Sequence, residues 1–336
     1  MGSLVKGTRT SIALGWSGAL GGKMGILAGR SVARGDFLRW LRRIAASLAI
    51  LLVLALGAAL LNNNASIRRP SRAEFVGNLD QTLARSTDWV LGQYQQTATG
   101  SVPTPKGLSL VSNSALAHMV VDCASLSSEP RMKALGSSFV DAWKVEASVF
   151  GKMVDPAIPT NAPSERKIQS LEEYQRWILH GAAPNDVPLS PKELEDMFSA
   201  DKYRTGKATH QLFALYFYRK SKGSTPELDR LMQRIEERIA WGAAIDFRVT
   251  DLYLQRLAFL LAAGRPDLIR PRWVERAFAA QQIDGGWLEN WHGWSRTPYR
   301  FSFGDELPIA HSTAQGMWIC YMLKYRYPEW IERNYK

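Results

Sequence analysis

Two cysteines, Cys123 and Cys320, are all the thiol that this 336-residue chain holds. With no Cys-x-x-Cys pair, thiolate zinc sites and dithiol redox motifs are excluded. Cys320 lies in an apolar helical run and reads as a small packing residue; the sequence leaves open whether the two form a disulfide. No stretch alternates apolar and polar residues at period two, so strands are few or absent. Gly-x-Ser-x-Gly, P-loop, His-Glu-x-x-His and dinucleotide fingerprints are all missing, and the sequence leaves the cofactor unknown. His118 and Asp122 stand at i, i+4, but two ligands do not make a metal site. The body also lacks net charge. Residues 1–72 carry eleven Lys and Arg against Asp36 alone, a net +10. Of the chain's +11, only +1 remains for the other 264 residues. A surface for nucleic acid is therefore not expected.

What is present begins with a glycine-rich basic tail, read as flexible because glycine at this density opposes a helix. Met24 offers a second start. Ile44 to Leu61 is uncharged and apolar, just long enough to cross a bilayer if Arg43 and Asn62 sit among headgroups. Eight Lys and Arg precede it, with Arg39, Arg42 and Arg43 against its start. The positive-inside bias then gives a single pass: residues 1–43 cytoplasmic, 44–61 an uncleaved anchor, 62–72 a linker, and 73–336 a periplasmic body on an inner membrane. A cleaved signal peptide and a buried core helix are the competing readings. The exit at Asn62-Asn63-Asn64-Ala65-Ser66 argues against the first, and the flanking arginines against the second.

The body reads as all-α. Capping boxes are expected at Ser71/Glu74, Ser170/Glu173 and Ser190/Glu193, and proline opens helices after Thr225 and Arg270. Stops are expected at Gly242 and Gly264. About ten helices follow, near 73–97, 111–126, 131–153, 170–180, 190–200, 207–222, 226–241, 247–263, 271–282 and 308–326, with proline-rich loops at 100–107 and 155–163. A weak repeat marks several helix starts: Thr209-His210-Gln211, Thr250-Asp251-Leu252, His311-Ser312-Thr313 and, more loosely, Asn113-Ser114-Ala115. Helix pairs repeating about every 40 residues suggest stacked α/α units around one core.

The chain is most distinctive between Ala280 and Gly316. Gln282-Ile283-Asp284-Gly285-Gly286-Trp287 is followed by an aromatic loop and a Thr-containing helix start, and Phe278 stands four before Gln282. This resembles the repeat of isoprenoid cyclases and protein prenyltransferases over residues 271–326. The resemblance implies an α/α toroid, here an incomplete barrel, in which Gln282, Asp284, Gly285, Gly286 and Trp287 are structural. The Asp-x-Asp-Asp proton donor of squalene–hopene-type cyclases is absent, as is the prenyltransferase zinc set, so the family's chemistries do not carry over. A fold of this kind hosts many reactions.

The long 283–307 connection is the candidate mouth of a cavity, since such segments are often functional. Trp291, Trp294 and Tyr299 could stack on a sugar or hold a prenyl chain, or simply plug the barrel. Asp305, His311, Glu289 and His292 could supply an acid and a base. His210 and Asp251 begin inner-type helices and could face the same ligand. The expected partners are a lipid membrane, with either a glycan or isoprenoid-linked substrate or a membrane protein that this chain binds without catalysis.

Overall fold

The computed structural model describes residues 34–66, 68–95, 110–160, 168–203, 206–289 and 307–336. They form helices, with no strand among them. The chain divides into two compact units, Met1–Val53 and Leu54–Lys336.

In the first unit the described chain is one helix, α1, which begins at Arg34 and runs on to Asn64. Its apolar side chains from Leu48 to Val53 are exposed. Among the described residues α1 is the one helix long and apolar enough to cross a membrane. The glycine-rich tail lies outside the described residues.

The second unit opens with a correction. Residues 62–72 were expected as a linker, yet Asn62, Asn63 and Asn64 are the last turn of α1 and are tied to the body. The Asn63 amide donates to the carbonyls of Ala243 and Ala244 at 2.8 and 2.9 Å, and the Asn64 amide donates to Ala244 at 2.7 Å. Tyr253 and Arg276 donate to the Asn63 side-chain oxygen. Arg272 donates to the carbonyl and side-chain oxygen of Asn62 at 2.9 and 2.7 Å. Arg270 and Trp273 donate to that of Asn64.

The body continues with α2 (Arg72–Gln95), α3 (Leu110–Leu126), α4 (Pro130–Glu146), α5 (Glu173–Ala182), α6 (Pro191–Met197), α7 (Lys207–Lys222), α8 (Pro226–Ile245), α9 (Asp251–Ala262), α10 (Pro271–Ala279), α11 (Ala310–Tyr321) and α12 (Pro328–Asn334). The capping boxes at Ser71 and Ser190 form as read, and Thr225 accepts from Leu228 N–H at the start of α8. Three readings are corrected. The box expected at Ser170 forms instead between Glu172 and Gln175. Gly242 does not stop α8; it makes room for the Arg256 guanidinium, which crosses it to reach Asp246 at 2.8 Å. The helix expected over 131–153 breaks at Ala147, in the left-handed region, into a 3₁₀ turn, Val149–Met153. Helix α12 was not foreseen. The loop 100–107 and residues 161–163 of the loop 155–163 lie outside the described residues.

Six tryptophans (Trp143, Trp177, Trp273, Trp287, Trp318, Trp330) are fully buried in one continuous core. α11 is at its centre, packed on α2, α3 and α9. Its Gly316 lies flat under Trp287: a Cβ there would stand 2.7 Å from the indole. Trp287 also donates to Ala277 O at 2.8 Å, and its N–H donates to Thr313 Oγ1 at 3.0 Å. In the turn before it, Gly285 adopts φ +98°, and a Cβ would meet Arg85 O at 2.3 Å, so only glycine fits. Asp284 accepts from Gly286 N–H and from Trp89. The amide that bridges this turn to α2 belongs to Gln281, which donates to Thr82 O and Gly285 O, both at 2.9 Å; the Gln282 amide donates to Ala280 O.

Candidate functional site

The helix-start repeat places one polar residue in the first turn of each of α7, α9 and α11: His210, Asp251 and His311. Packing of α9 against α7 and α11 brings these turns together. His311 Nδ1 donates to Asp251 Oδ1 at 2.8 Å, and Ser312 Oγ donates to the same oxygen at 2.9 Å. The Asp251 backbone N–H donates to Glu289 O at 2.9 Å, which joins the end of the Gly-Gly-Trp segment to the pair. The Gln315 amide nitrogen, one turn along α11, stands 3.3 Å from both His311 ring nitrogens. The Tyr174 ring lies 4.4 Å from that of His210. The buried Gln315 Oε1 has no hydrogen-bond partner among the described residues, and the His210 ring is held toward the Gly206 backbone.

The two histidines are driven apart electrostatically. For His311, burial opposes the imidazolium, but the Asp251 carboxylate and its hydrogen bond outweigh it, with Glu289 adding to them, so the pKa is raised. For His210, burial and the neighbouring His311 depress the pKa to about 4. For Asp251, burial is overcome by His311, Ser312 and His210, and its pKa falls below the ordinary value. Near neutral pH the cluster therefore holds an ionised carboxylate, one imidazole that stays protonated to higher pH than usual, and one neutral imidazole. Titratable groups pushed in opposite directions side by side are the arrangement that acid–base chemistry uses.

Of the residues singled out in the sequence, the structure joins His210, Asp251, His311 and Glu289. Trp291, His292, Trp294, Tyr299 and Asp305 lie outside the described residues, in the segment that begins next to Glu289. Ser312 and Gln315 were missed, although i+1 and i+4 from His311 is spacing that puts Gln315 on its face. Among the described residues no three His, Cys, Asp or Glu side chains are grouped to hold a metal.

No protein-family model, no characterised protein and no solved structure matches this chain. The site therefore rests on its own geometry.

Other polar clusters are structural in their contacts. Asp122 accepts from Arg326 through both oxygens, at 2.8 and 2.9 Å, and from Trp318 at 2.6 Å. His118, i−4 from it, is buried among Phe213, Phe217 and Trp318, and burial lowers its pKa to about 4. Cys123 and Cys320 are buried free thiols. Two cavities lined by described residues do not include His311. One, of about 240 Å³, sits between Phe75, Arg85 and Phe278; a groove of about 690 Å³ runs beside Arg176 and Glu193. Neither holds an acid–base pair of the His311–Asp251 kind.

Proposed function

We propose that this chain is a membrane-anchored, extracytoplasmic α/α-toroid enzyme that acts on a glycan or isoprenoid-linked substrate at the bilayer surface. His311 is its proton donor and Asp251 the group that orients and charges it. The observation that carries this reading is the 2.8 Å His311–Asp251 pair, assembled from helices 60 residues apart, with the Gln315 amide beside it. Buried polar atoms normally find partners, so Gln315 Oε1, which has none among the described residues, is suited to a ligand that brings its own hydroxyl. The raised pKa keeps a proton on His311 for a leaving oxygen, and Asp251 stabilises the imidazolium until the proton departs. Trp291, Trp294 and Tyr299, which follow Glu289 in the sequence, would supply stacking faces for a sugar ring or an apolar face for a prenyl chain.

The test uses the full chain in phospholipid vesicles with a polyprenyl-phosphate-linked sugar, and follows release of the sugar by mass spectrometry. His311→Ala and Asp251→Asn should each lower turnover by about 100-fold or more while helix content and melting stay close to wild type. Wild-type turnover should fall as pH rises through the raised His311 pKa, since the working form is the protonated one. Unchanged turnover in both variants would end the catalytic reading.

One observation favours a second reading, a non-catalytic subunit of a membrane complex. Ile283 and Leu307, at the two ends of the aromatic connection, are 95% and 80% exposed, as expected of a surface that a partner covers. Co-purification of a stoichiometric partner, lost on Ile283→Asp and Leu307→Asp with His311→Ala silent, would select it.

A further inference from the structure

Between Gly57 and Asn64 the apolar helix stops being bare. Leu54, Leu56 and Leu61 are exposed, but Gly57, Ala59 and Leu60 are half-buried and Asn63 is fully buried against the body. At 1.5 Å per residue, Gly57 lies about 7 Å before Asn62 along the helix axis. If Asn62 marks the headgroup level, whatever part of the body covers Gly57 and Leu60 is at or below that level.

The contacts identify the neighbouring surface. Asn63 and Asn64 cap the carbonyls of Ala243 and Ala244 in the last turn of α8. Ile245 follows directly, and Trp241 is i−4 from it on the same helix face. Phe247 comes two residues later, its carbonyl accepting from Arg276, which also holds Asn63. Trp241, Ile245 and Phe247 are 63%, 44% and 38% exposed, three large apolar side chains within seven residues. Arg248 follows Phe247 directly and pairs with Asp246 at 3.1 Å, and Arg270 and Arg272 donate to Asn64 and Asn62 in the last turn of α1. Exposed tryptophan and phenylalanine, with arginines on the segments that meet the end of an apolar helix, have the composition of a lipid–water interface.

We infer that the body docks on the bilayer through the face of Trp241, Ile245 and Phe247, with interfacial phospholipid as the occupant and the arginines on its phosphates. This rests on the anchor reading of α1. The aromatic side chains sit at headgroup depth and the Asn62–Asn64 contacts hold them there.

Nitroxide labels on single introduced cysteines test it in the full chain, reconstituted in phosphatidylcholine–phosphatidylglycerol vesicles. Cys123 and Cys320 are buried, and the protein without an added cysteine measures their background. Labels go on Trp241→Cys, Ile245→Cys, Leu51→Cys as the anchor control and Val145→Cys as the water control, Val145 being 84% exposed. Accessibility to oxygen relative to a water-soluble nickel chelate should be severalfold higher at 241 and 245 than at 145, approaching that at 51. Lipid-like values at 51 with water-like values at 241 and 245 overturn the docking and leave the anchor. Water-like values at 51 remove the anchor and the inference with it. Shielding from both reagents at 241 and 245 means that protein covers the face, which also overturns it.

Discussion

Gly316 has no side chain because Trp287 occupies the space where one would be. A methyl group there would press into the indole at 2.7 Å, and neither Trp287, held by Ala277 O and Thr313, nor the helix under it can step aside cheaply. Gly316→Ala should cost about 1–3 kcal/mol by overpacking, read as a lower denaturation midpoint of the detergent-solubilised chain. An unchanged midpoint would show that the indole is looser than its contacts imply. The same residue-scale logic separates the two histidines of the site. Nothing in the composition tells His210 from His311; what separates them is that only one touches the Asp251 carboxylate.

At the scale of elements, local signals were legible where a helix caps itself and misleading where a distant residue does the capping. Ser71, Ser190 and Thr225 announce their helices because the cap lies three residues from the N–H it satisfies. Gly242 reads as a stop, yet α8 runs on because its terminal carbonyls receive Asn63 and Asn64 from 180 residues away. Those carbonyls would otherwise be orphans of the last turn. The repeat at helix starts drew attention to His210, Asp251 and His311, which lie in the first turns of α7, α9 and α11. The His311–Asp251 and Gln315 contacts depend on how helices pack, which periodicity does not encode. Asn63→Ala tests the α8 cap. It removes the side-chain partner of Ala243 O and of the Tyr253 hydroxyl and leaves Arg276 with the Phe247 carbonyl, and should cost about 1–3 kcal/mol. Asn62→Ala, at an exposed position, should change stability by about 0.5 kcal/mol or less. Equal losses from the two would refute the difference argued from burial.

For the whole molecule the histidines predict a pH dependence of stability. His118 and His210 both have folded pKa values near 4, each set first by burial, against 6.5 unfolded. Between those values the unfolded chain binds more protons. Stability is therefore fully present above pH 6.5, declines as pH falls toward 4, and levels off below. Each group contributes a slope of up to about 1.4 kcal/mol per pH unit. His311 works the other way: its raised pKa lends stability below 6.5 that is lost as pH rises through the folded value. Asp251, with its depressed pKa, lends stability above the usual carboxylate pKa that is lost under acid. Urea midpoints from pH 4 to 8 should thus rise to neutrality and then flatten or dip. His118→Leu should make the acid limb shallower whatever it does to absolute stability; an acid limb of the same steepness would show that His118 does not titrate as described.

The three asparagines at the end of α1 belong to the body as much as to the helix. Asn63 closes the end of α8 and is itself held by Tyr253 and Arg276. A truncation that discards the apolar helix through Asn64, made to obtain a soluble protein, would therefore strip a plug out of the folded part, whereas a cut ahead of Leu54 would keep it.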